Sequence, residues 1–158
     1  MSTDNAEQRR EQHFRRLEQM YRTSPINAFY GAGMDISSGK AEVKLKVRKE
    51  LHHSAGAVHG SVSFKLLDDA CFFAASSVEE EFFVLTSAFT TYLLRPCAEG
   101  SLHCVGTVMN AGRRQILCEG TVLNDEGKVV ARGSGTFMRS DGRLLDLPGY
   151  ARSLDEAK

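Results

Sequence analysis

Ser61-Val62-Ser63-Phe64-Lys65-Leu66-Leu67-Asp68-Asp69-Ala70-Cys71-Phe72-Phe73-Ala74-Ala75-Ser76-Ser77-Val78 is the stretch that decides the fold. It holds no glycine, no proline and no polar alternation. It therefore reads as a helix that is apolar nearly all round, and such a helix is buried. One helix reaches that state only if a sheet wraps it or a partner covers it. Two adjacent aspartates, Asp68 and Asp69, sit in its middle. A carboxylate in a buried helix is costly unless it is paired, protonated or in use. The two point about 100° apart on a helix, so they cannot share one environment. One is expected in a site, the other against polar groups. Residue chemistry alone leaves a site and a purely structural role equally open.

Outward from this helix, the sheet is legible. Four strands follow, at roughly 82–95, 102–112, 115–124 and 128–138, separated by Pro96 to Gly100, Gly112 and Asn124 to Gly127. Long consecutive strands with short turns predict an antiparallel meander. Before the helix, Ala41, Val43, Leu45 and Val47 alternate with charged residues, the period of a half-buried strand over 40–49. Residues 27–38 read as a weaker strand, paired with it through a hairpin at Ser38-Gly39. Residues 4–22 read as a surface helix with an apolar stripe of Phe14, Leu17 and Tyr21, a capping box at Asp4 and Glu7, and a stop at Ser24-Pro25. The expected class is α+β: a curved antiparallel sheet of five to six strands around one long central helix, plus an extra N-terminal helix. No repeat or linker breaks the chain, so one domain is expected over 1–158. It divides into a helix segment (4–26), a core (27–139) and a tail (140–158) that wraps the surface or frays.

Composition narrows the function. The 158 residues carry 20 basic and 20 acidic side chains, which argues against a broad nucleic-acid or anionic-membrane surface. No apolar run approaches the roughly 20 residues of a membrane span. The first residues lack the apolar core of a secretory signal, so a cytoplasmic protein is expected. Cys71, Cys97, Cys104 and Cys118 match no zinc or disulfide spacing and read as free thiols, mostly in the core. His52, His53, His59 and Asp68 fit no standard metal pattern, so no metal is expected.

The loop before the helix, Leu51 to Gly60, is rich in glycine and histidine. Gly60 falls at the helix start, where N–H groups are unpaired and the partial charge is positive. A ligand oxygen can approach the backbone there, so Gly60 is a candidate oxyanion donor.

Gly56-Ala57-Val58-His59-Gly60-Ser61, followed by Asp68 nine residues after His59, resembles the hotdog-fold acyl-CoA thioesterases of the PaaI type, in the 4-hydroxybenzoyl-CoA thioesterase superfamily. Their hallmark is G-x-x-H-G-G with an acidic residue at that spacing. Thr86 to Pro96, ending in Tyr-x-x-Arg-Pro, resembles that family's next strand. Gly112-Arg113-Arg114 and Val130 to Phe137 resemble its last hairpin. The likeness covers about residues 40–138.

The resemblance implies a catalytic carboxylate at Asp68, acting as general base or nucleophile, and a backbone donor at Gly60. It also implies a water-positioning hydroxyl at Thr86. The family often has Asn where His53 stands, and Ser61 replaces the motif's second glycine. His53 and His59 join the catalytic candidates and Ser61 the binding ones. Arg95, Arg113, Arg114 and Arg139 are candidates for the phosphates of coenzyme A, with Arg113 and Arg114 preferred. No cofactor is implied beyond the coenzyme A of the substrate. A homodimer or homotetramer is implied, with each site combining Gly60 of one chain and Asp68 of the other. Two other readings exist on the same fold. A hydratase or dehydratase carries a D-x-N-P-x-H-type loop, whose Asp and Asn are missing from Ser54 to His59. A non-catalytic acyl-CoA sensor has Asp68 against it.

Overall fold

The computed structural model describes residues 3–152. Helix α1 spans Thr3–Thr23 and helix α2 Pro25–Tyr30; strands β1 (Gly33–Ser37) and β2 (Lys40–Lys46) follow. Helix α3 runs Gly60–Ser77. Four strands come next: β3 (Phe82–Leu93), β4 (Ser101–Ala111), β5 (Gln115–Asn124) and β6 (Val129–Arg143). The chain then makes a 3-10 turn at Leu144–Asp146 and the short helix α4, Pro148–Ala151. The six strands form one antiparallel sheet in the order β1-β2-β4-β5-β6-β3.

The sheet wraps α3, as the apolar reading of that helix requires. Val62, Leu66, Leu67, Ala70, Cys71, Ala74 and Ala75 are buried on it, against Val43, Leu45, Cys104, Cys118 and Phe137 from the strands. Two strand glycines let the helix come this close. A Cβ at Gly106 would strike the Ala70 backbone, and one at Gly120 would meet Leu67 Cδ2 at 2.9 Å. At Gly133 and Gly135 the missing side chains are replaced instead by the ring of Phe89. All four cysteines are free and buried.

Two expectations fail. Residues 27–38 are not one strand, because 25–30 form α2. Pro25 occupies the first helical turn, where its fixed φ is favourable, and Gly31 closes the helix at φ 67. Only 33–37 form a strand, and it does pair with β2 through the Ser38-Gly39 hairpin. Nor is the whole second half a meander. β4, β5 and β6 are, but β3 lies beyond β6 at the sheet edge. The segment after β3 is a crossing rather than a tight turn. Leu94 and Arg95 N–H bond Val130 O, Cys97 O accepts from Val58 N–H, and Gly100 O accepts from Val47 N–H. The capping residue Asp4 lies outside the residues whose side chains are described. Among the described residues no helix is long and apolar enough to cross a membrane.

Helix α1 lays Phe14, Leu17 and Tyr21 on the core. Of the expected tail, 140–143 belong to β6 and 153–158 lie outside the described residues; between them Tyr150 is buried, and its hydroxyl lies 2.7 Å from His13 Nδ1. His13 Nε2 lies 2.9 Å from Ser76 O, so α1, α3 and α4 meet at one imidazole.

Candidate active site

Two neighbourhoods on α3 hold the candidate residues. The first is its N-terminus. His59 is the N-cap, its Nδ1 accepting from Ser61 N–H at 3.1 Å and lying 2.7 Å from Ser61 Oγ. The preceding loop is pinned by backbone bonds from His53 N to Ala57 O and from His59 N to Leu51 O, with Gly56 at φ 80 turning it. Gly60 N–H is in the first turn and has no intrahelical acceptor. His53 Nδ1 accepts from Ala55 N–H at 3.0 Å, which puts the ring proton of the neutral form on Nε2. A cavity of about 290 Å³ opens here, lined by His53, Val58, Gly60, Leu93 and Arg95. Gly60 also serves packing, since a Cβ there would meet Leu93 Cδ1 at 2.6 Å.

The second neighbourhood is mid-helix. Thr86 Oγ1 donates to Asp68 Oδ1 at 2.9 Å. A β-bulge between Thr86 and Ala88 interrupts the β3–β6 register at this point, and bulges re-aim side chains. Burial pushes the Asp68 carboxyl above its ordinary value, opposed by the Thr86 hydrogen bond and the charge of Lys65. Asp68 and Thr86 lie on the wall of a second cavity of about 320 Å³, whose apolar lining includes Met20, Ile26, Phe72, Phe83 and Leu85. Asp69 lines the same cavity and pairs with Lys65 at 2.5 Å. The two aspartates have different partners, Thr86 and Lys65, but the expectation that they occupy separate environments fails, because the cavity at this end of the sheet reaches both.

The structure brings Asp68 and Thr86 together, and separately Gly60, His53, His59, Ser61 and Arg95. Within one chain it does not join the two sets. Residues 60 and 68 on one straight helix are about 12 Å apart along its axis. Arg113 and Arg114 are exposed on the β4–β5 turn, and Arg139 donates to the Gly112 and Arg113 carbonyls and pairs with Glu79. That internal bonding gives Arg139 a structural task. Lys65, which bonds both Asp69 and Asn27, and Asn27 itself line the second cavity and were not singled out by sequence pattern. Lys65 could have been, because it stands three and four residues before the two aspartates. Among the described residues no group of three or more His, Cys, Asp or Glu converges on a metal position. Burial pushes the thiols of Cys71 and Cys104 far up and that of Cys118 to about 12, so these three are not thiolate nucleophiles near neutrality.

The family model of the thioesterase superfamily matches residues 55–131. A solved structure of a conserved Pseudomonas aeruginosa protein is 32% identical with a TM-score of 0.71, over 78% of this chain and 98% of that one. A thioesterase family protein from Silicibacter pomeroyi is 28% identical with a TM-score of 0.73, over 78% and 95%. The PaaI protein of the Escherichia coli phenylacetic acid degradation operon superposes with a TM-score of 0.78 at 24% identity, over 84% and 96%, a likeness of fold. The matched span contains both halves of α3's polar equipment and the strand that carries Thr86. This chain belongs to the thioesterase superfamily and is a hotdog-fold thioester hydrolase.

Proposed function

We propose that the protein hydrolyses an acyl-CoA thioester to a free acid and coenzyme A, with Asp68 as general base and the Gly60 N–H as oxyanion donor. The observation that carries this reading is the Asp68–Thr86 pair at 2.9 Å on the wall of an otherwise largely apolar cavity. The acyl group enters that cavity. A water held by Thr86 and Asp68 attacks the carbonyl carbon and gives its proton to the carboxylate. Negative charge builds on the carbonyl oxygen, where Gly60 N–H and the positive helix end stabilise it. The C–S bond then breaks, and the proton on Asp68 passes to the leaving sulfur. Burial supports this assignment because a carboxylate held above its usual range is a stronger base.

Two copies complete the site in this reading. The separation of residues 60 and 68 on one rigid helix calls for Gly60 from one chain and Asp68 from another. The open β3 edge supports it: Leu85, Tyr92 and Leu93 on it, Leu94 just after it and Phe64 on α3 are all exposed apolar side chains. His53 Nε2–H supplies the hydrogen bond that an amide gives elsewhere in the family, and His59 with Ser61 caps the oxyanion helix. Arg95, beside Gly60, and the exposed Arg113 and Arg114 are assigned to the phosphates. The reaction needs no cofactor, and the proposed setting is the cytoplasm.

The test is a panel of acyl-CoAs with a thiol-trapping assay. Asp68→Asn and Asp68→Ala are expected to lose nearly all turnover with the fold retained by circular dichroism. Hydrolysis at the wild-type rate by either variant overturns the assignment.

A further inference from the structure

Lys65 is the one cation in the α3 sequence, and it stands within reach of both aspartates. Residues three and four positions on along a helix are its neighbours, so Asp68 and Asp69 compete for one ammonium. Asp69 holds it: Lys65 Nζ is 2.5 Å from Asp69 Oδ2 and 2.8 Å from Asn27 Oδ1. Asn27, itself buried, is fixed in turn by a bond from its Nδ2 to Tyr21 O. The Tyr21 and Tyr30 rings flank the ammonium, with centroids at 5.8 and 5.3 Å. Among the described residues the hydrogen-bond partner of Asp68 is Thr86 alone.

We propose that Lys65 and Asp69 are positioning residues for Asp68: Asp69 and Asn27 hold the ammonium off the reacting carboxylate, and the ammonium keeps the charge of Asp69 from bearing on Asp68. The proposal rests on Asp68 being the base. A base in direct ion pair with an ammonium gives up much of its proton affinity, whereas one beside an unpaired carboxylate stays protonated to higher pH. The Lys65–Asp69 pair keeps Asp68 between those limits.

The surroundings leave few other groups to act on Asp68. From α3 these are Lys65, Asp69 and Cys71; from β3, Thr86. The α1–α2 segment contributes Met20, Ser24, Ile26 and Asn27 to the same cavity, none of which titrates. Tyr21 from α1 and Cys104 from β4 face Asp69, and Glu119 from β5 faces Cys71. Burial pushes Tyr21, Cys71 and Cys104 well up, so they stay neutral where carboxylates titrate.

The test is a ¹³C-carboxylate NMR titration of Asp68 in the full chain, its resonance assigned by loss in Asp68→Asn, beside kcat/KM against pH. In Asp69→Asn the freed ammonium turns to Asp68, and its midpoint should fall by about one pH unit. In Lys65→Met it should rise by a similar amount. Lys65→Arg keeps the charge and should restore the wild-type midpoint, and the acid limb of kcat/KM should follow each shift. Unshifted midpoints, or shifts of one sign in both variants, overturn the proposal. Should Lys65→Met not fold, the downward shift in Asp69→Asn decides alone. The NMR readout needs no turnover. Opposite shifts without any acyl-CoA hydrolysis would therefore sustain the charge arrangement while removing the function proposed above. Hydrolysis that depends on Asp68 with no shifts would do the reverse.

Discussion

The two edges of the sheet differ sharply. At the β1 edge, α1 seals the backbone: Glu18 Oε1 accepts from Ile36 N–H at 2.8 Å, and Arg15 Nη2 donates to Ile36 O at 3.0 Å. The two side chains also pair with each other at 2.7 Å. An unpaired strand edge is a template for another chain, and charged side chains close this one. The β3 edge has no such seal. Among the described residues no side chain hydrogen-bonds the β3 backbone between Leu85 and Leu93, and Tyr92 and Leu93 are each 59% exposed. The site residues follow the open edge. Thr86 lies on β3 beside Asp68, and Leu93 packs on Gly60. In the proposed reading, sealing one edge directs association to the other, and the candidate site sits where a second copy would join.

The largest expected effect comes from spoiling the open edge. Tyr92→Asp with Leu94→Asp should leave the chain folded, shift it to monomer in sedimentation, and cut turnover by about 100-fold or more, since like charges meet across the contact. Asp35→Lys, on the sealed edge, should change neither. Monomers that keep full turnover would break the link between edge and site. On β3 itself, Thr86→Val should lower kcat by about tenfold, as the hydroxyl that places Asp68 and water is lost.

The pH profile sharpens the same comparison. Asp68 is raised by burial, so its base form is lost as pH falls through a value above the ordinary aspartate figure of about 3.9. The acid limb of kcat/KM should lie above that figure. The sign carries to stability. A raised carboxyl costs stability above its folded-state pKa, so Asp68→Asn should raise Tm near neutrality. The gain should vanish at pH below the unfolded value. The smallest effect belongs to the sealed edge. Glu18→Ala should destabilise by about 1–3 kcal/mol in urea melts, leaving Ile36 N–H unpartnered, with kcat unchanged.

Much of this was legible in the chain. The uniform apolarity of 61–78 revealed the wrapped helix, and the 100° between Asp68 and Asp69 agrees with their different partners, Thr86 and Lys65, though not with separate surroundings. The Gly56–Ser61 motif with Asp68 pointed to the family. The order of the strands was not legible. Pro96 to Gly100 reads the same whether it turns a hairpin or crosses the sheet, and only the bonds to Val130, Val58 and Val47 distinguish them. The tasks of the strand glycines were not legible either: Gly106 and Gly120 admit the helix, and Gly133 and Gly135 admit Phe89, contacts that no local pattern shows. Helix α2 was hidden because 25–30 is too short for a period to show. The pairing of Lys65 with Asn27 was hidden because 38 residues separate the two in the chain.

The most direct measurement of the proposed shared site is complementation. One inactive chain carries Asp68→Asn. The other carries Gly60→Pro, which removes the N–H at a position where helices accept proline and where His59, at ψ 142, already has the required extended backbone. Leu93→Ala in that second chain makes room for the ring. Each should be inactive alone. Co-expressed, they should recover roughly a quarter of wild-type turnover, because half of randomly paired dimers are mixed and each mixed dimer has one intact site. A mixture that pairs but stays inactive would show that Gly60 and Asp68 do not meet across two copies.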